Sequence, residues 1–409
     1  MEIVSRKKYA SKLDSWIGKG QIIVITGQRR SGKSFVLKDF IQRHGEDESY
    51  NIIYIDKEKK DFDGIKTYTD LNAYIDSNFD RSKHNVILVD EIQDINEWER
   101  SVRSYRTEDN TDVIITGSNS RILSGELGTM IGGRYHDIFV QPLTYREFLE
   151  FHNLKDSDDS LSKFINVGGL PGLRRIGLDD DEQVEEYIKS VFNTIMLKDV
   201  IERHNIRNIP FLNNLVAFLA DNVGKLNSAT SIMNTMKAKG QNVATKIILD
   251  YISFFSEAYL LSDIRRYDIH GKKEFEYNDK VYFSELGIRN IIVGGERSKD
   301  IEKVIENVVY NQLVYDGFTV RVGQLRAGEI DFVCTKPGQK VYVQVSYLIA
   351  DEGTREREFG NLKKINDNYP KYVISMMPLL TRTDDDGIIH LSLREFLVRG
   401  FCGQIDETR

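Results

Sequence analysis

The sequence predicts an α/β fold for its first 150 residues, with a parallel β-sheet covered by helices on both faces. Short apolar runs suited to buried strands alternate there with helical patterns. The runs are residues 21–26, 52–55, 86–89, 113–116 and 135–140. A glycine-rich segment follows the first run and opens a helical pattern, in which Val36, Leu37, Phe40 and Ile41 share one face. Ligands of such sheets bind beyond the carboxyl ends of the strands, where this segment lies.

Residues 27–34 read G-x-x-x-x-G-K-S, the pattern of a phosphate-binding P-loop. Gly27 and Gly32 let the backbone curl so that successive N–H groups point at phosphate oxygens. Lys33 is expected to reach the β- and γ-phosphates of ATP, and the Ser34 hydroxyl is expected to bind Mg²⁺. The predicted nucleotide-binding residues are Gly27, Gln28, Arg29, Arg30, Ser31, Gly32, Lys33, Ser34 and Phe35. The two arginines either add charge near phosphate or face solvent.

Two acids follow the third apolar run. Val86–Val89 ends in Asp90-Glu91, which is typical of a Walker B element. A buried strand then delivers both carboxylates to the sheet edge beside the P-loop. We predict that Asp90 holds Mg²⁺ together with Ser34, and that Glu91 acts as general base on the attacking water.

Polar residues follow the fourth run. Asn119 or Ser118 can contact the γ-phosphate or the attacking water, although a simple Ser/Asn turn fits the same residues. Arg134 is the first candidate for an arginine that stabilises transition-state charge, with Arg121 as a competitor and an ordinary surface role as the alternative. The predicted catalytic residues are Lys33, Glu91, Asn119 and Arg134.

Composition excludes several classes of protein. The chain has 409 residues, which suggests two to four domains, and a net charge of −7, which gives no global basic field for nucleic acid. Its two cysteines form no disulfide framework. The first residues lack the apolar core of a signal peptide, and no apolar stretch is long enough to span a bilayer. We therefore expect a cytoplasmic protein without a membrane partner.

The chain resembles bacterial and archaeal AAA+-type ATPases with an uncharacterised C-terminal region. The residues that carry the resemblance are 27–34, 87–93, 116–121, 133–135, 142–148, 197–200, 306–310 and 329–332. The resemblance implies ATP as ligand, a winged helix in the middle of the chain and a restriction-endonuclease-like fold at its end. The expected domains are an ATPase core (1–150), a helical lid or linker (151–207), a winged-helix module (208–295) and a nuclease-like domain (296–409).

The middle module resembles a helix-turn-helix, with helices at 228–239 and 243–258 and a wing at 259–283. One face of the second helix carries Lys246, Asp250, Ser253 and Glu257. Two acids and one base give this face a net negative charge, whereas contact with phosphate needs a positive one. The wing is more basic, with Arg265, Arg266, Lys272 and Lys273. DNA contact through the wing and a protein-binding or structural role are both open.

The sequence of the last domain predicts a nuclease-like site that does not cleave nucleic acid. Related folds use a helix glutamate, a strand aspartate and then Glu-x-Lys, which together bind metal and activate water. Glu306 and Asp331 fit the first two positions, but Gln344 and Ser346 stand where Glu and Lys are expected. Glutamine supplies no negative charge to a cation, and serine cannot replace the lysine.

The function that these patterns favour is a slow Mg²⁺-dependent ATPase that acts as a nucleotide-controlled switch on DNA or a protein partner. Two alternatives remain: a scaffold that ATP stabilises without turnover, and an ATP-regulated nuclease. An oligomer is possible, since a stabilising arginine can come from a neighbouring subunit.

Overall fold

The computed structural model describes residues 3–120, 133–274, 279–294, 300–326, 328–349, 352–377 and 382–401. The chain folds into two compact units, Met1–Pro142 with Glu257–Tyr259, and Leu143–Ser256 with Leu260–Arg409. Across the described ranges, no helix has both the length and the apolar character needed to cross a membrane.

The first unit contains a parallel five-stranded sheet, as predicted. Its strands are β1 (Ile22–Thr26), β2 (Tyr50–Asp56), β3 (His84–Asp90), β4 (Thr111–Gly117) and β5 (Tyr135–Phe139). Their spatial order is β2-β3-β4-β1-β5, and all neighbours are parallel. Every residue of β1 and β4 is buried, because helices cover both faces of the sheet. The order places β4 between the strand that precedes the P-loop and the strand that ends in Asp90.

The helices of this unit are α1 (Lys7–Asp14), α2 (Lys33–His44), α3 (Tyr68–Asn78) and α4 (Trp98–Tyr105), with 3₁₀ turns at Lys60–Phe62 and Ile92–Asp94. A reciprocal capping box between Thr67 and Asp70 starts α3. In α4, the buried residues Trp98, Val102 and Tyr105 recur at i, i+4 and i+7, so the helix packs one face on the core.

The second unit contains helices along residues 145–315. These are α5 (Tyr145–His152), α6 (Asp158–Val167), α7 (Leu173–Ile176), α8 (Asp181–Thr194), α9 (Ile209–Asp221), α10 (Ala229–Ala238), α11 (Thr245–Glu257), α12 (Leu286–Val293) and α13 (Ile301–Tyr315). A π-helical segment, Ile195–Glu202, continues α8. The acidic stretches near 158 and 180 are helix starts: Ser157 and Asp180 cap α6 and α8 through their side chains.

The same unit contains two sheets. The strands of this unit are β6 (Leu261–Ile264), β7 (Arg266–Asp268), β8 (Lys273–Glu274), β9 (Lys280–Phe283), β10 (Thr319–Leu325), β11 (Gly328–Lys336), β12 (Gln339–Ser346), β13 (Lys371–Ser375), β14 (Arg382–Thr383) and β15 (Ile388–Ser392). Helices α14 (Glu352–Lys363) and α15 (Leu393–Arg399) complete the unit. Eight strands form one sheet in the order β14-β15-β13-β12-β11-β10-β7-β8, while β6 and β9 form a separate antiparallel pair.

The predicted wing is divided between these two sheets. Its outer strands β6 and β9 pair with each other, but β7 pairs in parallel with β10, from Val322 opposite Arg266 to Gln324 opposite Asp268. The hydrogen bonding therefore crosses the expected boundary at residues 295 and 296. The separation of a winged-helix module from a nuclease-like domain stays a prediction.

Candidate nucleotide site at the carboxyl edge of the parallel sheet

The P-loop turns tightly between β1 and α2. Gly27 has φ 143° and Gly32 has φ 104°, which is backbone that L side chains rarely adopt. A Cβ on Gly27 would lie 2.1 Å from the carbonyl oxygen of Val140, so no larger residue fits there without displacing backbone. Lys33 Nζ donates to the carbonyl oxygens of Gly27 and Gln28, both at 3.1 Å. The ammonium group therefore lies inside the loop that the sequence pattern predicts.

Two buried polar groups of the loop support its fit to an anionic ligand. The side-chain amide of Gln28 and the hydroxyl of Ser31 are buried and have no hydrogen-bond partner in the part of the chain that the structure describes. Such groups are rare in folded proteins unless water or a ligand satisfies them. Arg29 is half-buried, Arg30 is exposed, and the Phe35 side chain at the start of α2 is 40% exposed.

Asp90 lies beside the P-loop at the carboxyl end of β3. The Thr116 hydroxyl donates to Asp90 Oδ1 at 2.5 Å. Burial raises the pKa of Asp90, and the hydroxyls of Thr116 and Ser34 oppose the increase. The structure thus brings together the two predicted Mg²⁺ ligands, Ser34 and Asp90.

Glu91 is held in the left-handed region at φ 55°. Its N–H donates to Thr116 Oγ1 at 2.9 Å, and its Oε2 accepts a hydrogen bond from the Gln93 side-chain amide. A non-glycine residue in this conformation is strained unless its surroundings fix it. Thr116 therefore holds both acids at the sheet edge, because its hydroxyl donates to the Asp90 carboxylate and accepts from the backbone N–H of Glu91.

The donor set fits Mg²⁺ in the manner of a substrate-bound ion. The described residues contain no group of three or more His, Cys, Asp or Glu side chains arranged to hold a metal by themselves. Magnesium commonly takes one or two protein oxygens and obtains the rest of its shell from phosphates and water. The Ser34 hydroxyl and the Asp90 carboxylate supply such a pair.

Three site residues were not found by sequence reasoning. Asp56, at the end of β2, is buried and pairs in register with Asp90 on β3. The Tyr54 hydroxyl donates to Asp56 Oδ2 at 3.2 Å. Burial and the charge of Asp90 raise the pKa of Tyr54, so the phenol stays protonated and remains a donor. The only signal in the sequence was an aspartate directly after an apolar run.

The third is Arg6, a buried residue before α1. Its Nη1 donates to the carbonyl oxygens of Ser31 (3.1 Å) and Gln141 (2.7 Å), and its Nη2 donates to that of Pro142 (3.3 Å). The guanidinium thereby joins the P-loop to the segment after β5. Isolated arginines near a chain start have no pattern that would have indicated this contact.

Asn119 and Arg134 lie at opposite edges of the parallel sheet. Asn119 is buried just after β4, at the same sheet edge as Asp90. Arg134 precedes β5, and its carbonyl oxygen accepts from Ile22 N–H at 3.1 Å, which is the amino end of β1. Its side chain is exposed, and the five residues of β1, ~15 Å, separate it from its own P-loop. The competitor Arg121 lies outside the described residues.

In the second unit, the structure places Glu306 on α13 and Asp331 on β11, as predicted. Gln344 on β12 donates to Glu358 Oε2 at 3.0 Å and accepts from Asp331 N–H at 3.3 Å. Burial and the charge of Asp331 raise the pKa of Glu306 to about 7. In the segment predicted to be a wing, Arg265, Lys272 and Lys273 are exposed.

The parallel sheet, the P-loop and the paired acids are those of a P-loop NTPase fold. Residues 19–149 match the model of an AAA domain, and residues 158–299 match that of a domain of unknown function, DUF8612. An uncharacterised protein of Haemophilus influenzae is 33% identical over 405 residues, 97% of this chain and 99% of that protein. The chain belongs to the family of this protein.

Two further similarities have lower identity. An uncharacterised protein of Methanocaldococcus jannaschii, MJ1544, is 28% identical over 89% of this chain and 83% of its own length. The Walker-type ATPase PABY2304 of Pyrococcus abyssi is 14% identical, with a TM-score of 0.49, over 70% of this chain and 95% of that chain.

Proposed function

We propose that this protein binds ATP with Mg²⁺ and hydrolyses it slowly, as a switch that couples nucleotide state to a DNA or protein partner. One observation carries the proposal: the parallel strand order β3-β4-β1 brings Asp90-Glu91 and the P-loop to the same sheet edge, where the Ser34 hydroxyl acts on the pKa of Asp90. A phosphate-binding loop, a metal-binding pair and a carboxylate base thus lie within one small region.

Each residue has a distinct part in this mechanism. Lys33 exchanges its two loop carbonyls for phosphate oxygens when ATP binds. Ser34 and Asp90 would hold Mg²⁺, which supplies charge neutralisation at the phosphates. Glu91 accepts the proton of the attacking water, and Gln93 orients its carboxylate. Asn119 lies at the same sheet edge and is our candidate for the contact that positions the water.

The test is phosphate release with purified protein and Mg²⁺. We expect Lys33→Ala to abolish ATP binding, because the loop loses its ammonium group. Glu91→Gln should bind ATP normally and lose ~10²–10⁴-fold in turnover, which is the contribution of a general base. Lys60→Ala and Glu48→Gln remove exposed charges of the same unit and serve as matched controls.

The outcomes separate this proposal from its alternatives. Tight ATP binding without turnover, alone and with DNA, would favour a scaffold. DNA cleavage lost in Asp331→Ala would favour a regulated nuclease. Wild-type hydrolysis that persists unchanged in Glu91→Gln would contradict the mechanism.

The nature of the partner is tested by measuring turnover with and without duplex DNA across salt concentrations. Stimulation that falls steeply with salt indicates contact with the phosphate backbone, for which the exposed Arg265, Lys272 and Lys273 are candidates. Turnover that DNA leaves unchanged favours a protein partner.

A further inference from the structure

A buried lysine lies among the carboxylates of the nuclease-like centre. Lys280 opens β9, and its side chain is only 4% exposed. Its Nζ lies 2.9 Å from Glu306 Oε1, 2.7 Å from Glu329 Oε1 and 3.4 Å from Asp331 Oδ1. One ammonium group therefore contacts three carboxylates that come from α13 and β11.

Neighbouring groups fix these carboxylates. The hydroxyl of the fully buried Tyr282 donates to Glu306 Oε1, and Val345 N–H donates to Asp331 Oδ2 at 2.9 Å. A Cβ on Gly224 would lie 3.0 Å from Glu306 Oε2, so this glutamate packs against backbone on another side. The carboxylates of Glu306 and Asp331 are thus held by contacts that do not involve the lysine, whereas the partly exposed Glu329 is held by Lys280.

The cluster requires a cation. Three carboxylates at this depth repel one another and lose hydration unless a positive charge compensates them. Within the described part of the chain, Lys280 is the ion-pair partner that the structure gives to Glu306, Glu329 and Asp331. Gln344 and Ser346, which stand at the positions expected for Glu and Lys, add no charge.

We propose that the Lys280 ammonium occupies the position of a divalent cation, and that removing it converts the centre into a metal site. The wild-type centre is filled by its own chain and takes no metal. Without the ammonium, oxygen atoms of Glu306, Glu329 and Asp331 face the vacated position from 2.7–3.4 Å. Moving these hard ligands inward to about 2.1–2.6 Å would give a site for Mg²⁺, Mn²⁺ or Ca²⁺, which the arrangement around the lysine does not itself provide.

The experiment measures Mn²⁺ binding to the nucleotide-free full chain by electron paramagnetic resonance. Lys280→Met keeps the length of the side chain and removes its charge. We expect this variant to bind about one equivalent of Mn²⁺ more than wild type, and Mn²⁺ to raise its Tm. The added equivalent should disappear in the double variant Lys280→Met/Asp331→Asn. A folded Lys280→Met protein that binds no additional Mn²⁺ would overturn the proposal.

A matched control variant and a second single variant keep the test decisive if Lys280→Met does not fold. Lys303→Met removes a lysine that pairs with Asp300 and Asp221 in the same unit, and it should gain no Mn²⁺. If Lys280→Met fails to fold, Asp331→Asn in the wild-type background still decides. Unchanged Mn²⁺ binding supports a centre already filled by Lys280, whereas a lost equivalent shows that the wild-type centre holds metal and contradicts the proposal.

Discussion

A single hydroxyl organises the acidic edge of the candidate site. Thr116 donates to Asp90 and accepts from the backbone of Glu91, so one side chain on β4 fixes the last residue of β3 and the residue that follows it. This is possible because β4 lies between β1 and β3. The identity of the strand neighbours, and hence this contact, cannot be read from the order of strands along the chain.

Thr116→Val keeps the shape of the side chain and removes its hydroxyl. The hydrogen bond from Thr116 lowers the pKa of Asp90 against the effect of burial, so its loss should raise that pKa further. Metal binding needs the ionised carboxylate, and the acid limb of the kcat/KM profile should therefore move to higher pH. An acid limb at the wild-type position would show that Thr116 does not act through Asp90.

Gly27→Ala tests the tight turn of the P-loop. The added Cβ would overlap the Val140 carbonyl oxygen and meet a φ of 143°, so the loop must shift. We expect a loss of ATP affinity of at least tenfold and a lower Tm, measured by titration calorimetry and thermal unfolding. Gly64→Ala adds the same methyl group in open space of the same unit and should change neither. Equal effects of the two substitutions would contradict the steric argument.

At the scale of elements, the buried strands and the amphipathic helices were predictable. The predicted helices 228–239 and 243–258 are present as Ala229–Ala238 and Thr245–Glu257, and all five predicted strands of the first sheet are present. The P-loop and Asp90-Glu91 were found because their residues are contiguous. Arg6 and Lys280 were missed, because each acts on residues far away in the sequence. Strands after residue 346 are short and gave no distinct pattern.

Glu285, at the start of α12, is a buried carboxylate whose pKa in the folded state differs from its ordinary value. Glu285 accepts from Gly169 N–H and Gly287 N–H, both at 3.0 Å, and a Cβ on Gly168 would overlap its Oε1. Burial raises the pKa of Glu285 to about 7. The folded state then binds more protons than the unfolded state between the unfolded pKa of about 4.3 and pH 7, so stability falls as pH rises through this range.

Glu285→Gln should remove this dependence, since the amide oxygen can accept the same backbone hydrogen bonds. Relative to wild type, the variant should gain stability between pH 4.5 and 7, by at most about 3 kcal/mol, and the difference should stay constant above pH 7. Urea unfolding at pH 4.5, 6 and 8 measures it. A difference that does not change with pH would mean that Glu285 is not the titrating group.

For the whole molecule, the position of Arg134 bears on assembly. It lies at the sheet edge opposite its own P-loop, so any action on phosphate must be on the site of another subunit. We expect Arg134→Ala and Lys33→Ala each to be inactive and their mixture to regain part of the activity. Each Arg134→Ala site would then receive its arginine from a Lys33→Ala neighbour. Wild-type turnover in Arg134→Ala alone would show that this arginine has no catalytic part.

The parallel pairing of β7 with β10 limits where the chain can be cut. A fragment that begins at residue 296 would lose β7 and β8 and leave the edge of β10 that faces away from β11 without a neighbouring strand. Bare strand edges of this kind recruit other chains and promote aggregation. Truncations for crystallisation or expression should keep residues 266–274 together with the C-terminal sheet.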